Sequence, residues 1–466
     1  MPPLAYYLAA FAVYTISIIL LTGQSFPQRE SLRSFYIGRR GVPLWPTVGT
    51  FCATWISPLS LVGFSMWYYR EGYIAFWASV NGWMLGFLLF PFIVRRLRRA
   101  RVVSLPEWLE KTYGDARVRK LAAAAMVLLY TIYLVIQFRA FGIIVSYMLE
   151  IPRGFASTSL IYLFVLYTTF GGYPSVVRSD TLNLLLIVAG VSAAAWFALP
   201  DGFSLSAAAD VLKSESGRFA AEGLSLSDAL SGTVIMLAWG LGVAGNPQYA
   251  IRIIACRSKK EAFRLISVSP YIIGWVYLCV TFFVMACRTA HPFIGNIEET
   301  LGFATLGQFL PPFAAMLLLI CVIASAVSTA NSQLLLAACS LCYDLLPMKR
   351  EGEGGPFGGE RFLLANRIAI TVIASAALLL GNAGLPGYIR LGTISWTLVA
   401  ILYFYPLFTP KLVARDILFY VLLFALSAQL ILVMVFGVEP EYAMLYVMLA
   451  EGLVFAVRRA AGGRHA

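Results

Sequence analysis

Charge and histidine are scarce in this chain. Only 12% of its 466 residues are charged, 60% are hydrophobic, and the mean hydropathy is +0.80. Soluble globular domains carry about 25% charged residues, so the composition excludes an ordinary soluble protein. The two histidines, His291 and His465, both fall outside the apolar stretches. The seven cysteines lie mostly inside those stretches and show no paired spacing in loops, which indicates reduced packing residues.

Catalytic motifs are also missing. The sequence has no HExxH pair, no paired CxxC, no P-loop and no nucleophile elbow. The formal net charge is +12, but no folded polar face gathers the basic residues as nucleic-acid binding requires. We therefore expect neither an enzyme nor a nucleic-acid-binding protein, and we predict no obligate protein partner.

Long apolar stretches recur from one end of the chain to the other. A helix needs roughly 17 to 25 such residues to cross a lipid bilayer, and about thirteen stretches meet this length. Their centres lie near residues 12, 56, 84, 134, 163, 190, 240, 275, 327, 371, 397, 425 and 449. The sequence therefore predicts an all-α integral membrane protein with one transmembrane domain over residues 1–466.

Basic residues are distributed unevenly between alternate loops. With the N-terminus outside, seven cytoplasmic segments hold 28 of the 35 Lys and Arg residues. The segment that follows residue 251 is one of them, and Arg252 is counted within it. This positive-inside bias predicts a multi-pass protein of the cell (inner) membrane, with the N-terminus outside and the C-terminus cytoplasmic.

Two apolar stretches, the second and the seventh, are interrupted by a capping residue followed by proline. Ser57-Pro58 breaks the first of these, and Asn246-Pro247 breaks the other. Ser and Asn are favoured N-caps and proline fits the first helical position, so each pair predicts a helix that ends and restarts within the bilayer. Such breaks persist where they line a polar cavity, and a matched pair is typical of a transporter binding site.

The two breaks divide the chain into related blocks. Five spans begin at each break, in residues 44–199 and 228–408, and because five is odd the second block enters the membrane from the opposite side. This order predicts a 5+5 inverted repeat. A helix in residues 1–25 precedes the repeat and two helices in residues 414–460 follow it, and we expect all three to be peripheral.

Four hydroxyl residues in the ninth span share one helical face, at spacings 0, 3, 4 and 7: Ser325, Ser328, Thr329 and Ser332. Small hydroxyl residues are common where transmembrane helices touch, so this face could serve packing alone. Opposite the carbonyls of a broken helix, the same hydroxyls would complete an all-oxygen shell for a small hard cation such as sodium.

Four stretches together resemble the solute:sodium symporter family. They are SFYIGRRGVPLWPTVGTFCATWIS (34–57), TTFGGYPSVVRSDTLN (168–183), WGLGVAGNPQYAIRIIACRS (239–258) and ASAVSTANSQLLLAACSLCYDL (324–345). These are similar to the first, fifth, sixth and eighth core helices of that family and occur in its order. The resemblance implies the LeuT-like inverted-repeat fold and sodium-driven uptake of a small solute.

The resemblance also implies a Na⁺ site of three backbone carbonyls and two hydroxyls, at Ala53, Ile56, Ser325, Ser328 and Thr329. Asp180 matches an aspartate that would receive the departing ion or belong to a second ion site; alternatively, it is an ordinary helix N-cap. Members with a second sodium site use hydroxyls one turn past Thr329. This chain has Asn331 and Ser332 there, which argues against a second site.

By the same resemblance, residues at both helix breaks line the solute cavity: Ser57, Pro58, Trp239, Val243, Asn246 and Pro247. The family's proline carriers have an aspartate and a tyrosine where this chain has Trp55 and Val243. Proline is therefore not the expected solute.

Arg139 is a charged residue inside the fourth span, on the order of 15 Å from its outer end. An uncompensated arginine at that depth costs at least about 2.5 to 3.5 kcal/mol. A solute carboxylate would compensate it, which favours a carboxylate-bearing metabolite or amino acid as the solute. Alternatively, Arg139 binds backbone carbonyls of the scaffold.

Taken together, these patterns predict a secondary active transporter that carries a small organic solute into the cell with Na⁺. One alternative is a proton-coupled or uncoupled carrier of the same fold. Proton coupling needs a titratable group at the ion site, and the sequence places none near Ser328. The other alternative is a transport-inactive membrane sensor or regulatory subunit.

Overall fold

The computed structural model describes residues 4–23, 32–38, 41–100, 102–199, 225–290, 298–346, 360–381 and 385–462, which are almost entirely helical. His291 and His465 lie outside the described residues. In chain order the helices are α1 (Leu4–Gly23), α2 (Leu32–Ile37), α3 (Leu44–Trp55), α4 (Leu59–Glu71), α5 (Tyr73–Ala100), α6 (Leu105–Tyr113), α7 (Ala116–Leu149), α8 (Arg153–Phe197), α9 (Leu226–Gly245), α10 (Pro247–Ala255), α11 (Lys259–Ala290), α12 (Glu299–Gly307), α13 (Pro312–Leu345), α14 (Glu360–Gly381), α15 (Tyr388–Phe408), α16 (Leu418–Met434) and α17 (Pro440–Gly462).

The predicted all-α membrane fold is confirmed. Within the described residues, ten segments are long and apolar enough to cross a membrane, and the bent pair α3 and α4 makes eleven. Each predicted span centre falls in a helix or, for residue 56, at a helix break. The count of thirteen stays a prediction, because α16 has only 17 residues and α8 runs through two of the expected centres.

The long helix α8 is two helices joined at a kink. Gly172 has φ 52° and ψ −152° there, a conformation that L side chains rarely adopt. A side chain at this position would also collide with Phe35, whose Cδ2 atom lies 2.7 Å from the place of a Cβ. Glycine is therefore required both by the backbone and by the close approach of α2.

The first predicted helix break lies between α3 and α4. Helix α3 ends at Trp55, Ile56 leaves the helical conformation with ψ 85°, and α4 restarts behind Pro58 at an angle of 55°. Ser57 does not cap α4 with its side chain, contrary to the sequence-based expectation. Its backbone carbonyl instead accepts hydrogen bonds from the N–H groups of Ser60 and Leu61, at 2.8 and 3.0 Å.

The second break lies between α9 and α10 and is capped as predicted. Asn246 has ψ 122°, and its side-chain oxygen accepts a hydrogen bond from the Gln248 N–H at 3.0 Å. Pro247 occupies the first helical position, where its missing N–H leaves no orphaned donor. Asn-Pro therefore ends one helix and begins the next.

Glycines allow α9 to pack closely between α5 and α15. A Cβ at Gly240 would lie 2.8 Å from the carbonyl oxygen of Gly82 on α5, and one at Gly242 would lie 2.5 Å from that of Trp396 on α15. Elsewhere in the bundle, α13 packs along α7 and α8 and contacts α3. This packing places the first helix break against the hydroxyl face of α13.

Candidate sodium and solute site

The hydroxyl face of α13 contacts the last turn of α3. The Ser328 hydroxyl donates to the Ala53 carbonyl at 2.9 Å and lies 3.1 Å from the Ser325 carbonyl. The Thr329 hydroxyl lies 3.4 Å from the Thr54 carbonyl. The structure therefore brings both proposed hydroxyl ligands to the end of the broken helix.

The five proposed sodium ligands are all fully buried. At ψ 85°, the carbonyl of Ile56 turns out of the α3 hydrogen-bonding pattern, whereas the neighbouring Trp55 carbonyl accepts from the Ser60 hydroxyl at 3.0 Å. Carbonyl and hydroxyl oxygens suit a hard cation. A donor set of neutral oxygens suits an alkali cation better than a soft transition metal, which prefers thiolate or imidazole ligands.

Asp180 lies inside α8, eight residues after the kink, so the interpretation as a helix N-cap is wrong. Its side chain is fully buried. One carboxylate oxygen accepts from the Thr50 hydroxyl at 2.5 Å and lies 3.5 Å from the Thr54 hydroxyl. The other oxygen is buried without a hydrogen-bond partner.

Arg252 is the main site residue that the sequence analysis missed. The sequence assigned it to a cytoplasmic loop, but the structure places it in α10 with 1% of its surface exposed. Its guanidinium lies 3.4 Å from the Asp180 carboxylate. The sequence does carry a signal for this position. Arg252 comes five residues after Pro247, within the half-helix that the proline begins.

The structure corrects the sequence-based statement that no titratable group lies near Ser328. Asp180 lies near Thr54, the Thr54 and Ser332 hydroxyls are 3.1 Å apart, and the Ser332 hydroxyl donates to the Ser328 carbonyl at 3.1 Å. The hydroxyls of Thr54 and Ser332 therefore connect the Asp180 carboxylate to Ser328, one of the proposed sodium ligands. The tertiary approach of α8 to α3 and α13 brings it there.

The proposed solute residues at the breaks are enclosed. Ser57, Trp239, Val243 and Asn246 are at most 3% exposed, and Pro58 and Pro247 are buried as well. The Asn246 side-chain oxygen accepts a second hydrogen bond from the Tyr130 hydroxyl at 3.0 Å. The breaks therefore lie inside the bundle, away from lipid.

Aromatic side chains connect the two breaks. The Ser57 hydroxyl lies 3.4 Å from the Tyr133 hydroxyl, the Tyr133 ring is 6.3 Å from the Trp396 ring, and Trp396 packs edge-on against Trp239 at 4.7 Å. The indole N–H of Trp239 donates to the Thr393 hydroxyl at 3.0 Å. Tyr133 and Trp396 were not identified from the sequence, because aromatic residues are frequent throughout it.

Two buried polar atoms near this aromatic cluster have no hydrogen-bond partner in the structure. They are the side-chain oxygen of Gln137 and the indole nitrogen of Trp396. Gln137 lies one helical turn from Tyr133, on the same face of α7. Buried polar groups are rarely left unpaired, so this acceptor and this donor could bind a polar solute.

Arg139 has the backbone partners that the scaffold alternative expects. Its guanidinium donates to the carbonyls of Leu385 and Pro386, at 3.2 and 2.9 Å, and lies 5.6 Å from the centre of the Tyr388 ring. It is half-buried and stabilises the segment that enters α15. The structure therefore gives this arginine protein partners and does not bring it to the helix breaks.

Comparisons with solved structures agree with this fold. A Na⁺-coupled sialic acid symporter, in a substrate-bound outward-open state, superposes with a TM-score of 0.80 at 16% sequence identity, covering 97% of each chain. MhsT in complex with L-phenylalanine gives a TM-score of 0.57 at 13% identity, covering 88% of this chain and 98% of MhsT. At these identities the likeness shows the fold, which is the LeuT-like fold implied by the sequence motifs.

Sequence comparisons identify relatives and a family. A sodium/proline symporter of Haemophilus influenzae is 24% identical over 416 residues, covering 84% of this chain and 80% of the relative. One from Staphylococcus aureus is 24% identical over 383 residues, covering 79% and 73%. The model of the sodium:solute symporter family matches residues 35–386, most of the chain. This protein therefore belongs to the sodium:solute symporter family and is a sodium-coupled transporter of a small solute, not an enzyme.

Proposed function

We propose that one sodium ion binds between α3 and α13 and drives a small organic solute, held at the two helix breaks, into the cell. The observation that carries this proposal is the Ser328 hydroxyl, 2.9 Å from the Ala53 carbonyl at the end of a broken helix. The protein would lie in the cell membrane with its N-terminus outside, as the distribution of basic residues predicts.

The proposed ion site and the proposed solute site share one short segment of chain. Ala53 and Ile56 would bind the ion, and Ser57 follows directly at the break. An ion that bridges this segment to α13 would fix the backbone beside the solute. Ion and solute affinities would then rise together, as thermodynamic linkage requires.

Movement of one positive charge inward also supplies energy. A membrane potential of 100 mV is worth about 2.3 kcal/mol for one charge. At about 1.4 kcal/mol per decade, this supports roughly fiftyfold accumulation of a neutral solute before any sodium gradient is counted.

The lining of the breaks favours a neutral or zwitterionic solute with an apolar face. Trp239 and Trp396 offer aromatic surface, and Gln137 and Trp396 offer an acceptor and a donor. The sequence-based proposal of a carboxylate-bearing solute rests on Arg139, which has backbone partners in the structure. Asp180 remains our proposed recipient of sodium on its way to the cytoplasm, because one of its oxygens is unpartnered.

A thermal-shift screen of metabolites on purified protein tests the proposal. A ligand at 100 times its dissociation constant stabilises the folded state by about 2.7 kcal/mol, so sodium alone should raise Tm and a true solute should raise it further when sodium is present. Substituting potassium for sodium should remove both effects. Equal stabilisation in the two salts would contradict sodium coupling.

Variants locate the ion. Ser328→Ala with Thr329→Ala should abolish the sodium-dependent rise in Tm while the protein stays folded. Ser79→Ala with Ser269→Ala is the matched control, because both of these buried hydroxyls donate to carbonyls of their own helices. A sodium response that survives in the first double variant would overturn the proposed site.

Proton coupling is a second candidate that one observation favours: the Asp180 carboxylate lies 3.5 Å from the Thr54 hydroxyl, which is 3.1 Å from the Ser332 hydroxyl. Its pairing with Arg252 argues against this candidate. Uptake into proteoliposomes driven by a pH gradient without sodium would support proton coupling. A purified protein that accumulates no solute under either gradient would instead indicate a sensor or regulatory subunit.

A further inference from the structure

The Arg252 guanidinium joins four helices at one buried point. From α10, it donates to the Thr50 hydroxyl on α3 with Nε at 3.1 Å and Nη2 at 2.9 Å. It also donates to the Thr54 hydroxyl and, at 2.6 Å, to the Ser332 hydroxyl on α13. The Asp180 carboxylate on α8 lies 3.4 Å away.

Two of these partners are direct neighbours of the proposed sodium ligands. Thr54 follows Ala53, and its own carbonyl lies 3.4 Å from the Thr329 hydroxyl. The Ser332 hydroxyl donates to the carbonyl of Ser328. The guanidinium therefore holds both walls of the proposed ion site, one on α3 and one on α13.

The other end of the connection is the second helix break. Arg252 Nη1 donates to the carbonyl of Gln248 at 2.5 Å, within the first turn of α10. The Gln248 N–H is in turn capped by Asn246. A single side chain thus connects the ion site to the half-helix that begins at the solute site.

The charges in this cluster balance without the ion. A guanidinium buried to 99% is stable only when it is paired and hydrogen-bonded, and Asp180 supplies the opposite charge. The hydroxyls of Thr50, Thr54 and Ser332 are neutral. A sodium ion that enters beside this pair would bring one net positive charge into the site.

We infer that Arg252 is a positioning residue for sodium coupling. It ties α10, and with it the helix break at Asn246 that we propose for the solute, to the two walls of the sodium site. This inference rests on the proposed function. Sodium binding orders the end of α3 against α13, and the guanidinium transmits that order to α10. Removal of the tether should therefore weaken sodium binding and uncouple it from solute binding.

The test measures the sodium concentration that gives half of the maximal thermal stabilisation. Arg252→Ala should raise this concentration about tenfold or more, within the usual range of coupling between sites. Arg252→Lys should not restore it, because one ammonium cannot span the same set of oxygens. Guanidinium ion at low millimolar, non-denaturing concentration should restore sodium affinity in the alanine variant and leave the wild type unchanged.

Arg119→Ala is the matched control. Arg119 is also a buried arginine paired with a buried aspartate, with its Nε 2.9 Å from Asp344. It also donates to the Glu110 carboxylate and the Tyr343 carbonyl, and these three residues lie outside the proposed sodium site. This variant should lose stability and keep the wild-type sodium affinity. An equal loss of sodium affinity in both arginine variants would reduce Arg252 to a structural role and overturn the inference.

A second variant keeps the test decisive if Arg252→Ala does not fold. Thr50→Val removes the hydroxyl that accepts two of the guanidinium hydrogen bonds and donates one to Asp180, while both charged side chains remain. It should raise the half-saturating sodium concentration several-fold. An unchanged sodium affinity would overturn this inference and leave the proposed function standing. A wild type without any sodium response would overturn the proposed function, and this inference with it.

Discussion

Asn246→Ala is the substitution that tests the second helix break most sharply. The side-chain oxygen of Asn246 accepts from the Gln248 N–H and from the Tyr130 hydroxyl, both at 3.0 Å, and the residue is 3% exposed. Alanine removes both bonds at once. In the buried interior no water replaces them easily, so a backbone donor and a phenol hydroxyl lose their partner.

The expected cost follows from these two losses. Removal of an N-cap costs about 0.5 to 2 kcal/mol, and a buried hydroxyl left without a partner costs about 1 to 3 kcal/mol. We expect Asn246→Ala to lower the free energy of unfolding by about 2 to 4 kcal/mol. Tyr130→Phe keeps the cap and should cost only about 1 kcal/mol.

Chemical denaturation of purified protein in detergent micelles measures these costs. Ser225→Ala is the control, because Ser225 caps α9 with a hydrogen bond from the Asp228 N–H but is exposed, so water can replace the lost bond. It should cost at most about 1 kcal/mol. If Asn246→Ala costs no more than Ser225→Ala, the side chain does not hold the break and the reasoning is refuted.

Three further predictions concern the scaffold. Arg139→Ala should lower Tm and leave the half-saturating solute concentration unchanged, because its partners are backbone carbonyls; a large loss of solute affinity would restore its role in binding a solute carboxylate. Gly242→Ala should destabilise the protein by about 1 to 3 kcal/mol, since a Cβ there would lie 2.5 Å from the Trp396 carbonyl oxygen, whereas Gly274→Ala has open space and should be neutral or stabilising. Equal effects of the two glycine substitutions on unfolding would contradict this packing. Burial opposes ionisation of Glu107, but hydrogen bonds from the Lys111 ammonium and a backbone N–H hold its pKa below the usual value. Glu107→Gln should therefore cost stability at neutral pH, and its Tm difference from the wild type should shrink as the pH falls through the depressed pKa; a difference independent of pH would rule out this contribution.

Features with a local signal were predictable from the sequence. Asn246-Pro247 ends and restarts a helix because the cap and the proline act within a few residues of each other. Ser325, Ser328 and Thr329 share a face because helical spacing places them there. The apolar stretches predicted the membrane-spanning helices because their length and composition are also local properties of the sequence.

Features that depend on packing between distant helices were not predictable in the same way. Serine is a favoured capping residue, but at Ser57 the backbone carbonyl, and not the hydroxyl, accepts the hydrogen bonds at the start of α4. A basic residue after an apolar stretch is usually cytoplasmic, so the sequence alone predicts a loop position for Arg252. Only the tertiary structure shows that Thr50, Ser332 and Asp180 surround it.

Binding of radioactive sodium to the purified protein measures the central claim most directly, without knowledge of the solute. The account predicts saturable binding that is lost in the Ser328→Ala, Thr329→Ala variant and retained in the Ser79→Ala, Ser269→Ala control. Undiminished binding in the first variant, with the protein folded, would place the ion elsewhere and contradict the account.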